Sequence, residues 1–286
     1  MREGDSLIET QKADFSNVYD QPDPRAYFGT LKALDYQIPQ QGVPVFNAVL
    51  DALPEQKHKV IDICCSYGIN AAMLSYDVDM ADLNAHYADP GPATISTDDL
   101  LESDREFFSG PSLRPDVDFV GLDVAQPAID YAVGAGLLAN GWAENLETSE
   151  PSPELVAGIS DTDLIISTGG VGYVGRPTFE ALLGAIDDPE NLWLAIFVLR
   201  VFDYGEIADV LTEHGLITEQ VPDVTFPQRR FADREEQEAA THDVLARGLD
   251  PAGKEADGWF HADCFLSRPA AAAAETPLSE LLAGVL

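Results

Sequence analysis

Four stretches of the chain end in side chains suited to gripping a ligand rich in hydrogen-bond donors. Residues 60–70 read Val-Ile-Asp-Ile-Cys-Cys-Ser-Tyr-Gly-Ile-Asn, a β-branched run ending in Asp62, small residues as far as Gly68, then an apolar helical start. A strand, a small-residue turn and a helix N-terminus let a bulky ligand lie against bare backbone N–H groups. A carboxylate at that strand end favours a donor-rich ligand and disfavours a pyrophosphate. Asp123 closes a second apolar run, where a carboxylate can accept both hydroxyls of a ribose. Glu144 and Asn145 follow a third, suited to an adenine amino group, and Thr168-Gly169 close a fourth, where backbone can approach closely. The four together are far more specific than any one of them.

These groups need strands to carry them. Apolar runs at Val117–Asp123, Asn140–Leu146, Asp163–Gly170 and Leu192–Val198 read as strands, the last apolar enough to be covered on both faces. Helical spacing separates them, at Ala128–Ala132 and at Tyr204–Glu213, the latter stopped by His214-Gly215. Residues 216–221 and 259–266 read as two further strands around a charged helix near Arg234–Arg247. The alternation predicts a mostly parallel sheet with helices on both faces, closed by an antiparallel strand. Ahead of it, Val18–Phe28 is aromatic and broken by prolines, and Gln37–Pro44 reads as a second break before a helix over Val45–Leu53. Residues 77–116 are dense in Asp, Pro, Gly and Ser and read as an insertion covering the ligand site.

With these residues in place, the chain resembles the class I S-adenosylmethionine-dependent methyltransferases over roughly residues 45–268. Their first strand leads into acid-x-Gly-x-Gly-x-Gly, here Asp62-Ile63-Cys64-Cys65-Ser66-Tyr67-Gly68. Cys64 and Ser66 replace two of the three glycines, and neither takes positive φ easily. The resemblance implies an α/β, Rossmann-like, mostly parallel seven-stranded sheet with an antiparallel last strand. It divides the chain into an N-terminal cap (1–58), a methyltransferase-like domain (59–270, with the 77–116 insertion) and a C-terminal tail (271–286). It implies S-adenosyl-L-methionine as cofactor, held by Asp62, Cys64, Cys65, Ser66, Gly68, Asp123, Val124, Glu144, Asn145, Thr168 and Gly169.

Other candidates have two readings each. His86 is a general base above the methyl group or an exposed loop histidine. Tyr173, after the fourth strand, is a substrate-side wall or base, or plain packing. Tyr19, Tyr27 and Tyr36 are substrate-binding lid aromatics or anchors of the N-terminal segment. Arg200 holds a substrate carboxylate or pairs with one of the many acids. Asp123 binds ribose or caps the next helix, and Cys64 and Cys65 are small packing residues rather than nucleophiles.

Charge narrows the partners. Fifty acidic residues against sixteen basic ones, five of them lysine, give a net charge of −34. Such a field repels nucleic acid and anionic membrane surfaces. Because the acids are spread along the chain, the pattern suits a surface adapted to high salt; unfolding followed from low to multimolar salt is its check. No apolar run reaches the roughly 18 residues of a membrane span, and the N-terminus lacks the pattern of a secretory signal, so a cytoplasmic setting is expected. Three cysteines form neither a disulfide framework nor a zinc spacing, and no metal site is expected. The activity expected is methyl transfer to the O or N of a small organic acceptor by direct displacement, with a homodimer as the candidate assembly. A nicotinamide-dependent oxidoreductase would want Gly-x-Gly-x-x-Gly and an acid about 20 residues on, and has neither. A non-catalytic relative that uses the fold for binding is the remaining alternative, kept open by the replaced glycines.

Overall fold

The apolar runs become the strands of one sheet. The computed structural model describes residues 16–54, 56–88, 91 and 94–285. Its strands are β1 (His58–Ile63), β2 (Val117–Asp123), β3 (Asn140–Ala143), β4 (Leu164–Thr168), β5 (Trp193–Leu199), β6 (Leu216–Gln220), β7 (Phe226–Arg230) and β8 (Trp259–Pro269). The order is β3-β2-β1-β4-β5-β8-β6, with β7 also paired to β8. Strands β1 to β5 run parallel, and β8 enters antiparallel beside β5. On its other edge β8 pairs with β7 through residues 259–262 and with β6 through residues 265–269.

The sheet is therefore Rossmann-like and has eight strands, not seven. The extra one, β7, reads Phe-Pro-Gln-Arg-Arg, which has no apolar alternation and carries a register shift after Pro227. Proline and charge are tolerated there because β7 pairs on one side only.

Strand residues alternate between two cores. Val60, Phe119, Leu164, Ile166 and Phe197 face the helices Ile38–Ala52, Ile69–Ser75 and Gln126–Gly134. Ile61, Val120, Ile165 and Ile196 face the helices Pro153–Ile159, Arg176–Ala185 and Gly205–Glu213. All seven residues of β5 are buried, as a doubly covered strand requires. This alternation puts Asp62 on the face of Val60, towards the helix Ile69–Ser75.

The break expected at 37–44 is instead the start of the helix Ile38–Ala52. Pro39 sits in the first turn, where its missing N–H has no intrahelical partner to lose. Pro44 forgoes one bond, and burial of Val45, Phe46 and Val49 against the sheet outweighs it.

The 77–116 insertion folds into the helices Met80–Ala88 and Thr97–Phe107 and buttresses the N-terminal segment from outside. Phe28 stacks on Tyr87 with ring centroids 4.4 Å apart, Arg25 Nη1 donates to the Ile95 oxygen at 3.0 Å, and Thr97 Oγ1 donates to Asp23 Oδ2 at 2.7 Å. At the C-terminus, Leu278 and Leu282 are buried in the core beside the helix Ile38–Ala52. Among the described residues no helix is long and apolar enough to cross a membrane.

Candidate functional site

Strand order reverses between β1 and β4, which places a crevice outside their carboxyl ends. The loop leaving β1 has Cys64 at φ 57°, Ser66 at φ 51° and Gly68 at φ 76°. All three positions that are glycine in the family signature are left-handed, although two carry side chains. Cys64 and Ser66 thus adopt the positive φ that neither takes easily. The strain, about 1 kcal/mol or more per residue, is held by backbone bonds: Cys64 N donates to the Leu122 oxygen at 2.7 Å, and Ser66 N to Asp123 Oδ2 at 2.9 Å. Gly68 lies behind the loop, outside the cavity wall, where a Cβ would stand 3.3 Å from the side chains of Ala132 and Leu137.

Tyr67, in the same loop, turns the other way. Its buried hydroxyl donates to the Gln21 oxygen at 2.9 Å and accepts from Gln21 N at 3.2 Å, fastening the N-terminal segment to the turn.

Asp62 does not reach the cavity. It is fully buried, and Asn70 Nδ2 donates to both of its oxygens at 3.1 Å and contacts Thr168 Oγ1 at 3.2 Å. Burial pushes the Asp62 carboxyl up to about 8, against the Asn70 hydrogen bond and with help from the charge of Asp123. The expected cofactor contact is thus corrected: Asn70 forms the wall, and Asp62 positions Asn70.

Asp123 does not cap the next helix, Gln126–Gly134, whose N-cap is Ala125 with no side-chain hydrogen bond; it braces two turns and leaves room for a ligand. Its Oδ1 accepts from Ala125 N at 3.0 Å and its Oδ2 from Ser66 N, while a carboxylate has about four acceptor sites. Burial raises its pKa, and the N–H groups of Ala125, Ser66 and Val124 oppose the rise. Val124, 67 % exposed, stands on the rim. Glu144 also lines the cavity, but its carboxylate accepts from Ser152 Oγ at 2.5 Å and Ser152 N at 2.9 Å, so it is engaged with the start of the helix Pro153–Ile159. Asn145 Oδ1 accepts from Glu147 N at 3.0 Å.

These strand ends enclose a cavity of about 530 Å³, a size suited to a nucleoside-sized ligand. Cys64, Cys65, Ser66, Asp123, Thr168 and Gly169 line one part of it, and Tyr19, Tyr27, Tyr36 and Tyr173 another. Tyr27 packs edge-on against Tyr19 and Tyr36, with centroids 5.8 and 6.0 Å away. Burial raises the hydroxyl pKa of Tyr19, Tyr27 and Tyr36, so all three are neutral near pH 7.

Two expected site residues lie elsewhere. His86 Nε2 pairs with Asp104 Oδ1 at 2.7 Å and its ring stacks on Phe107 at 4.2 Å, inside the insertion. Asp104, fully buried, also accepts from the hydroxyls of Tyr87 at 2.6 Å and Tyr131 at 2.7 Å, so this group knits the insertion to the sheet domain. Arg200 is 5 % exposed and donates to Glu255 Oε2 at 2.6 Å and the Asp250 oxygen at 2.9 Å, away from the cavity. No described residue of 77–116 lines the cavity, so the described part of the insertion supports the N-terminal segment and does not line the ligand site.

Sequence reasoning missed Asn70, Gln228 and Arg229 in the wall. Asn70 was visible at the start of the helix after Gly68; Gln228 and Arg229 belong to the unforeseen β7. Arg229 is held bidentately by Glu236 at 2.9 and 2.6 Å. Ser66 Oγ and Gln228 Oε1 are buried without a hydrogen-bond partner among the described residues.

No family profile matches the chain, and no curated protein matches it significantly. Similar solved structures include a TehB-like SAM-dependent methyltransferase from Corynebacterium glutamicum, at 16 % identity over 78 % of this chain and 86 % of the other, with a TM-score of 0.40. The YcgJ protein from Bacillus subtilis is 10 % identical over 79 % and 97 %, with a TM-score of 0.44. The plantazolicin methyltransferase BpumL, solved with SAH, is 12 % identical over 92 % of both chains, with a TM-score of 0.42. Likenesses this distant carry no weight for function; the fold is defined by its own strand order and the site by its own geometry.

Proposed function

We propose that this protein is an S-adenosylmethionine-dependent methyltransferase acting on the O or N of a small-molecule acceptor. The observation that carries the reading is the Asp123 carboxylate, fixed to the Ser66 N–H across a left-handed turn at the strand-order switch, with the cavity beside it. The residues fit the cofactor. Asp123 has acceptor capacity left for ribose hydroxyls, the unpartnered Ser66 Oγ lies next to it, and Asn70 and Thr168 stand at the ends of the neighbouring elements. When bound, the cofactor supplies a sulfonium-activated methyl group, so the protein's task is alignment and exclusion of water. The tyrosine wall and the N-terminal segment pinned by Tyr67 serve that task. With His86 committed to Asp104, the reading assigns no histidine base. A net charge of −34 keeps nucleic acid out of the proposal, and a cytoplasmic setting belongs to it.

Isothermal calorimetry with S-adenosylmethionine, S-adenosylhomocysteine and NAD tests it. The sulfur ligands are expected to bind and NAD is not. A protein that binds neither sulfur ligand is not a methyltransferase, and one that binds them without methylating any acceptor is a binding relative.

A further inference from the structure

One polar group in the cavity wall is left unexplained by cofactor binding. Gln228, in the middle of β7, is 3 % exposed, lines the cavity, and has a side-chain oxygen with no hydrogen-bond partner among the described residues. Its backbone oxygen accepts from Gln37 N at 2.8 Å, which fastens β7 to the N-terminal segment. Burying an amide oxygen unpaired forfeits its hydration with no return, so a donor is missing from this position.

The place of Gln228 says which ligand brings that donor. A Cβ on Gly169 would lie 2.6 Å from Gln228 Nε2, so the carboxamide stands over the end of β4 in the space a side chain there would take. Asp123, Val124, Glu144 and Asn145 come from the ends of β2 and β3, on the opposite side of β1. The Gln228 backbone bonds to Gln37, the neighbour of Tyr36, and the adjoining Arg229 acts electrostatically on Tyr19 and Tyr36, so Gln228 stands where the tyrosine wall meets Gly169. Among the described residues lining the cavity Arg229 is the only lysine or arginine, and Glu236 neutralises it, while Asp20 and Asp123 are acidic. An anionic acceptor finds no uncompensated counter-charge there.

We propose that Gln228 anchors the acceptor, and that the acceptor is an uncharged, planar aromatic compound whose O–H or N–H donates to the Gln228 side-chain oxygen. The ring lies among Tyr19, Tyr27, Tyr36 and Tyr173, which favour offset and edge-on aromatic contacts. The inference rests on the methyl-transfer reading for its division of the cavity into donor and acceptor halves.

Ligand-observed NMR with phenol, anisole, cyclohexanol and benzoate on the full chain, with and without saturating S-adenosylhomocysteine, tests it. Phenol is expected to bind at least tenfold more tightly than the other three. Gln228→Leu is expected to weaken phenol at least tenfold, to leave S-adenosylhomocysteine affinity within twofold, and to keep or raise the melting temperature, because the unpaired oxygen is gone. Gln228→Met provides the same comparison if the leucine variant does not fold. Phenol binding no better than anisole or cyclohexanol overturns the proposal, as does unchanged phenol affinity in the variants. Weakened S-adenosylhomocysteine binding in them also overturns it, by placing Gln228 on the methyl donor. A wild-type protein that binds no S-adenosylhomocysteine yet selects phenol through Gln228 loses the methyltransferase reading and keeps the anchor.

Discussion

The two halves of the cavity are built in different ways. The half at the ends of β1 and β2 is made by backbone: left-handed residues at 64, 66 and 68, and N–H groups fixed by Leu122 and Asp123. The half beneath the tyrosines is made by side chains from distant segments, around Tyr19, Tyr36, Tyr173 and Gln228. A backbone-made turn tolerates changes of side chain along itself, which is how Cys64 and Ser66 stand in for glycine, while it depends on the one carboxylate that fixes it, Asp123. A side-chain-made site is altered by a single substitution, so substrate choice belongs there.

The largest expected effect lies behind the wall. Asp62 holds its proton up to about pH 8 in the folded protein, against about 3.9 for an unfolded aspartate. The folded state therefore binds a proton that the unfolded state has released, and the stability this contributes is complete below about pH 4 and lost as pH rises through 8. Asp62→Asn removes that dependence. Urea unfolding should show the variant gaining roughly 5 kcal/mol on the parent between pH 4 and pH 9. Parallel pH profiles would mean that Asp62 is ionised in the fold.

Asp123→Ala strikes the backbone-made half directly, removing the anchor of Ser66 N and the proposed ribose acceptor. S-adenosylhomocysteine affinity should fall about 100-fold, or about 2.8 kcal/mol; a loss under threefold would break the assignment of this half. Tyr67→Phe cuts the tie between the halves at Gln21. It should lower stability by about 1 kcal/mol and weaken phenol more than S-adenosylhomocysteine. The reverse order would show the tie serving the turn alone. The smallest effect is Ser66→Gly, which relieves a left-handed side chain but adds unfolded-state freedom, for a gain of about 0.5 kcal/mol in the unliganded protein. A lower melting temperature in this variant would show that the turn is unstrained.

The parts of the fold that were legible are those whose signal is local. Strands β1 to β5 announced themselves as apolar runs, and they end at Ile63, Asp123, Ala143, Thr168 and Leu199. β7 did not, because Pro227, Gln228 and the two arginines hide a strand that exists through its pairing with β8. The helix Ile38–Ala52 was cut short because Pro39 and Pro44 read as breakers, and their cost depends on what the helix buries. His86, in the polar insertion, and Arg200, just past the fifth strand, each carry a site reading and a duller one in the sequence, and local position does not separate the two. Their partners, Asp104 and Glu255, lie 18 and 55 residues away.

By itself the sequence determined the alternation of strand and helix and the turn after β1 with its small residues. These depend on neighbouring residues and on the regular periods of helix and strand. Only the tertiary structure decided that Asp62 is shielded by Asn70, that the insertion is a buttress, and that Gln228 faces Gly169 with an unpaired oxygen. Those outcomes turn on which side chains are desolvated together, and desolvation is set by packing between segments far apart in the chain.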